Sequence, residues 1–281
     1  MNFRELSLTK NDKNYFSPWL FCPQPNPRAN LRLFCFHYAG GNAMVFRNWP
    51  ERLPASVEVC AVQLPGRGRR LNENPFASVT SLIQPVSDAL AQYCDKPFAF
   101  FGHSMGALLS FEITRQFRRE GRRLPEHLFL SGRRAPHLPS EEPPTYDLPA
   151  EEFLESLRKL NGTPAEVLEQ PELIQLMLPL LRADFELCET YEYVPEPPLD
   201  CAFSVYGGLQ DPGVTRTELK AWREQTTSSF SLRMLPGDHF FLNGSSTLLL
   251  GFLSQELHYI MNRAIQQRNE TATSKVFNGG A

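Results

Sequence analysis

The sequence predicts an α/β protein, a mostly parallel central sheet with helices on both faces, and three observations predict it. Apolar runs of strand length alternate with helical segments over residues 31–136 and again over 200–268. One run, Pro97-Phe98-Ala99-Phe100-Phe101-Gly102, breaks at His103-Ser104-Met105-Gly106 and resumes as Ala107-Leu108-Leu109-Ser110-Phe111-Glu112-Ile113, which reads as strand, sharp turn, helix. The 281 residues, 42% of them hydrophobic, suffice for one large core.

Residues 1–30, rich in Pro and Asn around Trp19-Leu20-Phe21, read as an extended arm lying on the domain. Leu31 to His37 is a buried-strand pattern that breaks into Tyr38-Ala39-Gly40-Gly41-Asn42, and a helix through Phe46 and Trp49 is expected next. Val57 to Leu64 is a strand that ends at Pro65-Gly66-Arg67-Gly68-Arg69-Arg70, followed by a helix over 78–94. The helix after Ser104 ends near Arg118-Arg119-Glu120-Gly121, with cations at its negative end and a glycine cap. His127 to Ser131 is another strand.

After Arg133-Arg134-Ala135-Pro136 the alternation stops, and 137–199 reads as a helical insertion with many prolines. Phe153, Leu154, Leu157 and Leu160 share one helical face, and Thr163-Pro164-Ala165-Glu166 is a capping box with Pro at the first helical position. A further helix, Leu173 to Tyr191, is expected to kink at Pro179. Met177, Leu180, Leu181, Phe185 and Leu187 make it apolar on more than one stripe, which suits either plain core packing or the wall of a channel for an aliphatic chain. The sheet resumes at Cys201 to Gly208, then come a helix over 215–226, a strand at Phe230 to Leu235 and a closing helix from 246 to about 267. Residues 269–281 are polar and aperiodic, as a disordered tail would be.

The Gly102-His103-Ser104-Met105-Gly106 turn has the G-x-S-x-G pattern of a nucleophile elbow, which exposes one hydroxyl above the sheet edge. A carboxylate follows a later strand in Leu209-Gln210-Asp211-Pro212, and Pro236-Gly237-Asp238-His239 follows the last one, so the chain order is Ser, Asp, His. His239 is then the base for Ser104, and Asp211 the group that orients the imidazole. Asp238 is nearer to His239 in sequence but worse placed, because adjacent side chains seldom face each other. His103, His127, His137 and His258 read as structural or surface residues.

Acyl transfer needs two N–H donors on the developing oxyanion, one from the residue after the nucleophile and one from a loop after an early strand. Met105 is the first, and Ala39 is chosen for the second with Tyr38 in reserve. A phosphate cradle in the Tyr38–Asn42 loop is disfavoured, since neither G-x-G-x-x-G nor Gly-Lys-Ser/Thr is present there. The His37 side chain reads as holding this loop.

A net charge of −3 gives no global basic field, so no nucleic-acid partner is expected. Six cysteines without a C-x-x-C pair point to neither a metal nor a disulfide framework. Met1 to Asn14 lacks the apolar core of a signal peptide and no stretch reaches 18 apolar residues, so a cytoplasmic location without membrane attachment is expected.

On Phe36-His37-Tyr38-Ala39-Gly40-Gly41, Leu64-Pro65-Gly66-Arg67-Gly68, Gly102-His103-Ser104-Met105-Gly106, Gly208 through Asp211-Pro212, and Gly237-Asp238-His239-Phe240-Phe241, the chain resembles a type II thioesterase of the α/β-hydrolase fold. These are the stand-alone hydrolases that accompany polyketide, nonribosomal-peptide and fatty-acid synthases. The resemblance spans residues 17–260 and departs at His37, where such sequences often carry proline before the aromatic or histidine of the loop. It implies Ser104, Asp211 and His239 as triad, Ala39 and Met105 as oxyanion donors, and 137–199 as a lid. It further implies hydrolysis of acyl thioesters on the phosphopantetheine arm of an acyl or peptidyl carrier protein; a monomer without cofactor is expected. A general carboxylesterase or lipase shares the triad, and a non-enzymatic acyl-binding module is the alternative of another class. Met177, Leu181 and Phe185 are the candidates for an acyl channel. Arg133 and Arg134, with Arg67, Arg69 and Arg70, lie in loops after strands and form a candidate docking rim for an acidic carrier, though the 67–70 loop also reads as a solvated turn.

Overall fold

The computed structural model describes residues 17–140, 143–160 and 170–278. Seven strands form one sheet: β1 (Leu20–Phe21), β2 (Leu31–Phe36), β3 (Val57–Val62), β4 (Phe98–His103), β5 (His127–Ser131), β6 (Ala202–Gly208) and β7 (Phe230–Leu235). Their order is β1-β3-β2-β4-β5-β6-β7, and every neighbouring pair is parallel except β1 with β3. The near-continuous apolar runs suit strands buried on both faces. Alternate residues of β2 show it: Phe34 and Phe36 join one core, while Leu33 and Cys35 join the other.

Helices α1 (Val79–Ala91) and α2 (Met105–Arg119) cover the first of these faces. The insertion supplies α3 (Ala150–Leu160) and α4 (Pro171–Glu189); α5 (Arg216–Lys220), α6 (Phe241–Gly244) and α7 (Ser246–Asn278) follow. Leu249, Leu250, Leu253 and Leu257 of α7 pack on the second face. Parallel strands all deliver their loops to the same sheet edge, which brings the chain after β2, β3, β4, β5, β6 and β7 together.

Several expectations are corrected. The helix through Phe46 and Trp49 is instead two short 3₁₀ turns, Ala43–Phe46 and Trp49–Glu51. Pro50 and Pro54 remove two amide donors there, so no α-helical ladder can run through. The helix over 215–226 is α-helical only to Lys220 and continues as a 3₁₀ segment, Ala221–Gln225. The arm contributes an edge strand, with Leu20 paired to Val62 and Phe21 to Ala61. α7 runs past 267 to Asn278, into the stretch read as disordered. Residues 264–278 hold no Gly or Pro, so aperiodic polarity there was not a stop signal. The Thr163-Pro164-Ala165-Glu166 capping box lies outside the described residues, as do residues 1–16 of the arm and 279–281 of the tail.

Candidate active site

Ser104 sits between β4 and α2 with φ 54° and ψ −114°, the one non-glycine at positive φ among the described residues. A residue there costs on the order of 1–3 kcal/mol of strain. The flanking glycines permit the turn by close approach. A Cβ on Gly102 would stand 2.1 Å from the Gly106 carbonyl oxygen, and one on Gly106 would stand 2.2 Å from that of Phe36. The Ser104 amide donates to the Ser131 carbonyl at 2.7 Å, tying the turn to the end of β5.

Asp211 follows β6 and His239 follows β7. The two meet: His239 Nδ1 lies 2.8 Å from Asp211 Oδ2, and the Gly213 amide donates to Oδ1 at 2.9 Å. The Asp211 side chain is 1% exposed. A carboxylate only accepts, so Nδ1 carries the proton and Nε2 is left as an acceptor. Asp238 turns elsewhere, its Oδ1 accepting the Phe240 amide at 2.9 Å. Ser104 and His239 both line one cavity of about 440 Å³.

Ala39 lines the same cavity. The preceding carbonyl, Tyr38 O, accepts from His37 Nδ1 at 2.8 Å and from the Gly41 amide at 3.0 Å. In a trans peptide N–H and C=O point opposite ways, so the Ala39 N–H is directed away from both donors. Met105 is the first residue of α2, and its N–H is among the four that a helix leaves without an internal partner. Burial, with Arg67 nearby, pushes the His37 pKa down to about 3, so the ring stays neutral. His103 is also held well below the usual range, by burial and then by His239, whose ring centre is 5.3 Å away; its Nδ1 lies 2.9 Å from Ser131 Oγ. Of the other histidines, His127 is buried with Nε2 2.9 Å from Ser204 Oγ, His137 pairs with Glu224 at 3.2 Å, and His258 is exposed.

Of the channel candidates, Phe185 is in the cavity wall. Met177 and Leu181 are not in that wall; with Phe185 they join the cluster of Phe153 and Leu157 between α3 and α4, and Leu181 also reaches Gly40. Of the rim arginines, Arg133 and Arg134 line the cavity, and Arg69 is exposed. Arg67 and Arg70 are corrected: both are buried and paired. Arg70 bonds Glu73 at 2.6 Å and lies over the Trp19 ring, while Arg67 bonds Asp184 through two contacts of 2.7 Å. Sequence reasoning missed Asp184 altogether. The signal was a carboxylate in line with Leu180 and Leu187, at helical spacing on an apolar face.

Among the described residues no helix is long and apolar enough to cross a membrane, and no cluster of His, Cys, Asp and Glu could hold a metal. The thioesterase-domain family model matches residues 31–257. The chain is 46% identical over 250 residues to the linear gramicidin dehydrogenase LgrE of Brevibacillus parabrevis, covering 87% of this chain and 95% of that protein. The dehydrogenase in that name has no counterpart motif here, since no G-x-G-x-x-G occurs in the sequence. Solved structures are similar too, among them RedJ and BorB. RedJ, the thioesterase of the prodiginine pathway in Streptomyces coelicolor, matches with a TM-score of 0.76 and 45% identity over 81% of this chain and 86% of that one. BorB, the type II thioesterase of the borrelidin biosynthetic cluster, matches with a TM-score of 0.79 and 36% identity over 86% of this chain and 98% of that one. With a family match across most of its length and this parallel sheet, the chain belongs to the thioesterase family, as a type II thioesterase of the α/β-hydrolase fold.

Proposed function

We propose that the chain hydrolyses acyl thioesters carried on the phosphopantetheine arm of a carrier protein, and so clears carriers in polyketide, nonribosomal-peptide or fatty-acid synthesis. The observation that carries this reading is the 2.8 Å bond between His239 and Asp211 beside the cavity that Ser104 shares. Ser104 Oγ attacks the thioester carbonyl as His239 Nε2 takes its proton, and the C–S bond then breaks as that proton passes to the thiolate. Water, deprotonated by the same imidazole, cleaves the acyl-Ser104 ester, and the proton returns to Oγ. The Ala39 and Met105 amides receive the oxyanion in both steps. The fixed Tyr38 carbonyl supports Ala39 over Tyr38 as the loop donor.

Phe185 and Cys188 offer the acyl chain an apolar wall, while Arg133, Arg134 and Lys159 outnumber Glu189 among the charged residues of the same cavity. That charge suits an acidic carrier and the phosphate of its arm, although the whole chain is slightly negative. The test is kcat/KM on an acyl-carrier substrate against a p-nitrophenyl ester of the same acyl group. At least tenfold preference for the carrier substrate is expected; parity or ester preference makes the protein a general carboxylesterase. Failure of a fluorophosphonate probe to label Ser104 leaves only an acyl-binding module.

A further inference from the structure

Asp184 belongs to α4, in the insertion, yet its carboxylate reaches the loop after β2. Oδ2 accepts the Gly40 amide at 2.7 Å and Arg67 Nη1 at 2.7 Å, while Oδ1 accepts Arg67 Nη2 at 2.7 Å. Arg67, from the loop after β3, also donates from Nη1 to the Gly41 carbonyl at 3.3 Å and from Nε to the Pro65 carbonyl at 3.2 Å. The side chains are 4% and 1% exposed, so water does not compete for these bonds.

The Gly40 N–H is the next amide after that of Ala39. The peptide that carries the Ala39 N–H is held by His37 and Gly41 through the Tyr38 carbonyl, the next is held by Asp184 through the Gly40 amide, and Arg67 holds the Gly41–Asn42 peptide through the Gly41 carbonyl. The peptide that carries the Ala39 amide and the peptide that follows it are thereby fixed in direction. Helix α4 also packs on this backbone directly: Gly40 has φ +74°, and a Cβ there would lie 2.6 Å from Leu181 Cδ2. A plain ion-pair staple would need only the two Arg67–Asp184 bonds. The third acceptor position is spent on a loop amide, a charge-assisted bond in a buried site.

We infer that Asp184, oriented by Arg67, is a positioning residue that fixes the Tyr38–Gly41 loop for oxyanion binding and makes that geometry depend on the seating of α4. The inference rests on the proposed role of the Ala39 amide. The helix of the insertion and the oxyanion loop then share one hinge point, so a displaced α4 releases Gly40 and blunts catalysis. Asp184→Asn presents an amide N–H₂ to the guanidinium donors and cannot keep all three bonds.

The test uses a small acyl thioester, which removes carrier docking from the measurement, on wild type, Asp184→Asn and the charge-free double variant Arg67→Met/Asp184→Leu. The double variant leaves no lone buried charge and guards against simple unfolding. Both variants are expected to lose about 10- to 100-fold in kcat with KM within threefold, because a misplaced oxyanion donor is felt in the transition state. Fluorophosphonate labelling of Ser104 falls by the same factor. Hydrogen exchange on the wild type adds a readout that needs no variant: the Gly40 amide and the amides of 184–188 should open with the same protection. A kcat retained within twofold while Tm drops, a change in KM alone, or Gly40 exchanging freely while α4 stays protected would each overturn the inference. A wild type that neither labels at Ser104 nor hydrolyses the thioester instead refutes the proposed function beneath it.

Discussion

Asp211→Asn is the sharpest perturbation of the proposed triad, because its effect follows from a single proton. In the native protein the carboxylate at 2.8 Å requires a proton on His239 Nδ1. Its other oxygen is satisfied by the Gly213 amide at 2.9 Å, so an Asn side chain keeps its carbonyl oxygen on Gly213 and turns its N–H₂ toward the imidazole. Nδ1 must then accept, the proton moves to Nε2, and the proposed base can no longer take the serine proton. Loss of the base in serine hydrolases of this type costs about 10⁴ in kcat. That equals about 5.4 kcal/mol of transition-state stabilisation at 1.36 kcal/mol per decade. Asp238→Asn is the matched control. Its Oδ1 accepts the Phe240 amide, a role that Asn keeps, so a loss of only a few-fold is expected. The assay is steady-state hydrolysis of an acyl thioester with thiol release read by absorbance, with Tm measured on each variant. Equal losses for the two variants, or the larger loss at Asp238, would refute the assignment.

Replacing Arg133 and Arg134 by Glu should lower kcat/KM on an acyl carrier at least tenfold, most at low salt, while a small acyl thioester is hydrolysed within threefold of wild type; equal losses on both would make these arginines structural. Acid should destabilise the fold through its buried neutral histidines. His37 and His127 are held by burial at about 3 against an ordinary 6.5, with Arg67 and Arg233 respectively adding to the shift. Below pH 6.5 the unfolded chain therefore binds protons that the folded chain refuses, so stability is full above about pH 7 and is lost as pH falls from 6.5 toward 3. The loss amounts to about 2 kcal/mol per histidine at pH 5, with His103 acting in the same direction. Urea midpoints at pH 7.5 and 5.0 measure it, and equal midpoints would contradict it.

The sheet was readable because parallel strands buried on both faces leave unbroken apolar runs such as Leu31–Phe36, Val57–Val62 and Phe98–His103. The placing of Ser104, Asp211 and His239 at one sheet edge was readable for a related reason: each follows the end of a strand in a parallel sheet, whatever their separation in sequence. The Arg67–Asp184 pair was not readable, since its partners lie 117 residues apart and nothing local distinguishes Arg67 from the exposed Arg69 beside it. Helix α4 was readable only in part. Its several apolar stripes suited core packing or a channel wall alike, and Leu181 meets Gly40, Leu180 meets Gly66 and Leu187 joins the main core, so much of that apolarity serves packing. The 3₁₀ turns at Ala43–Phe46 and Trp49–Glu51 were not legible because the spacing of Phe46 and Trp49 also fits an α-helix, and Pro50 is tolerated in a helix's first turn.

The most direct measurement is intact-mass spectrometry of wild type and Ser104→Ala after mixing with an acyl-phosphopantetheinyl carrier and rapid acid quench, followed by peptide mapping. The elbow tolerates the smaller side chain, so both proteins should be folded by circular dichroism. The expected result is a transient mass increase of one acyl group on the wild type, mapped to the peptide containing Ser104, with free acid and holo-carrier as products. The alanine variant should show neither adduct nor turnover. An adduct on another residue, or thioester hydrolysis by Ser104→Ala at the wild-type rate, would contradict Ser104 as the nucleophile.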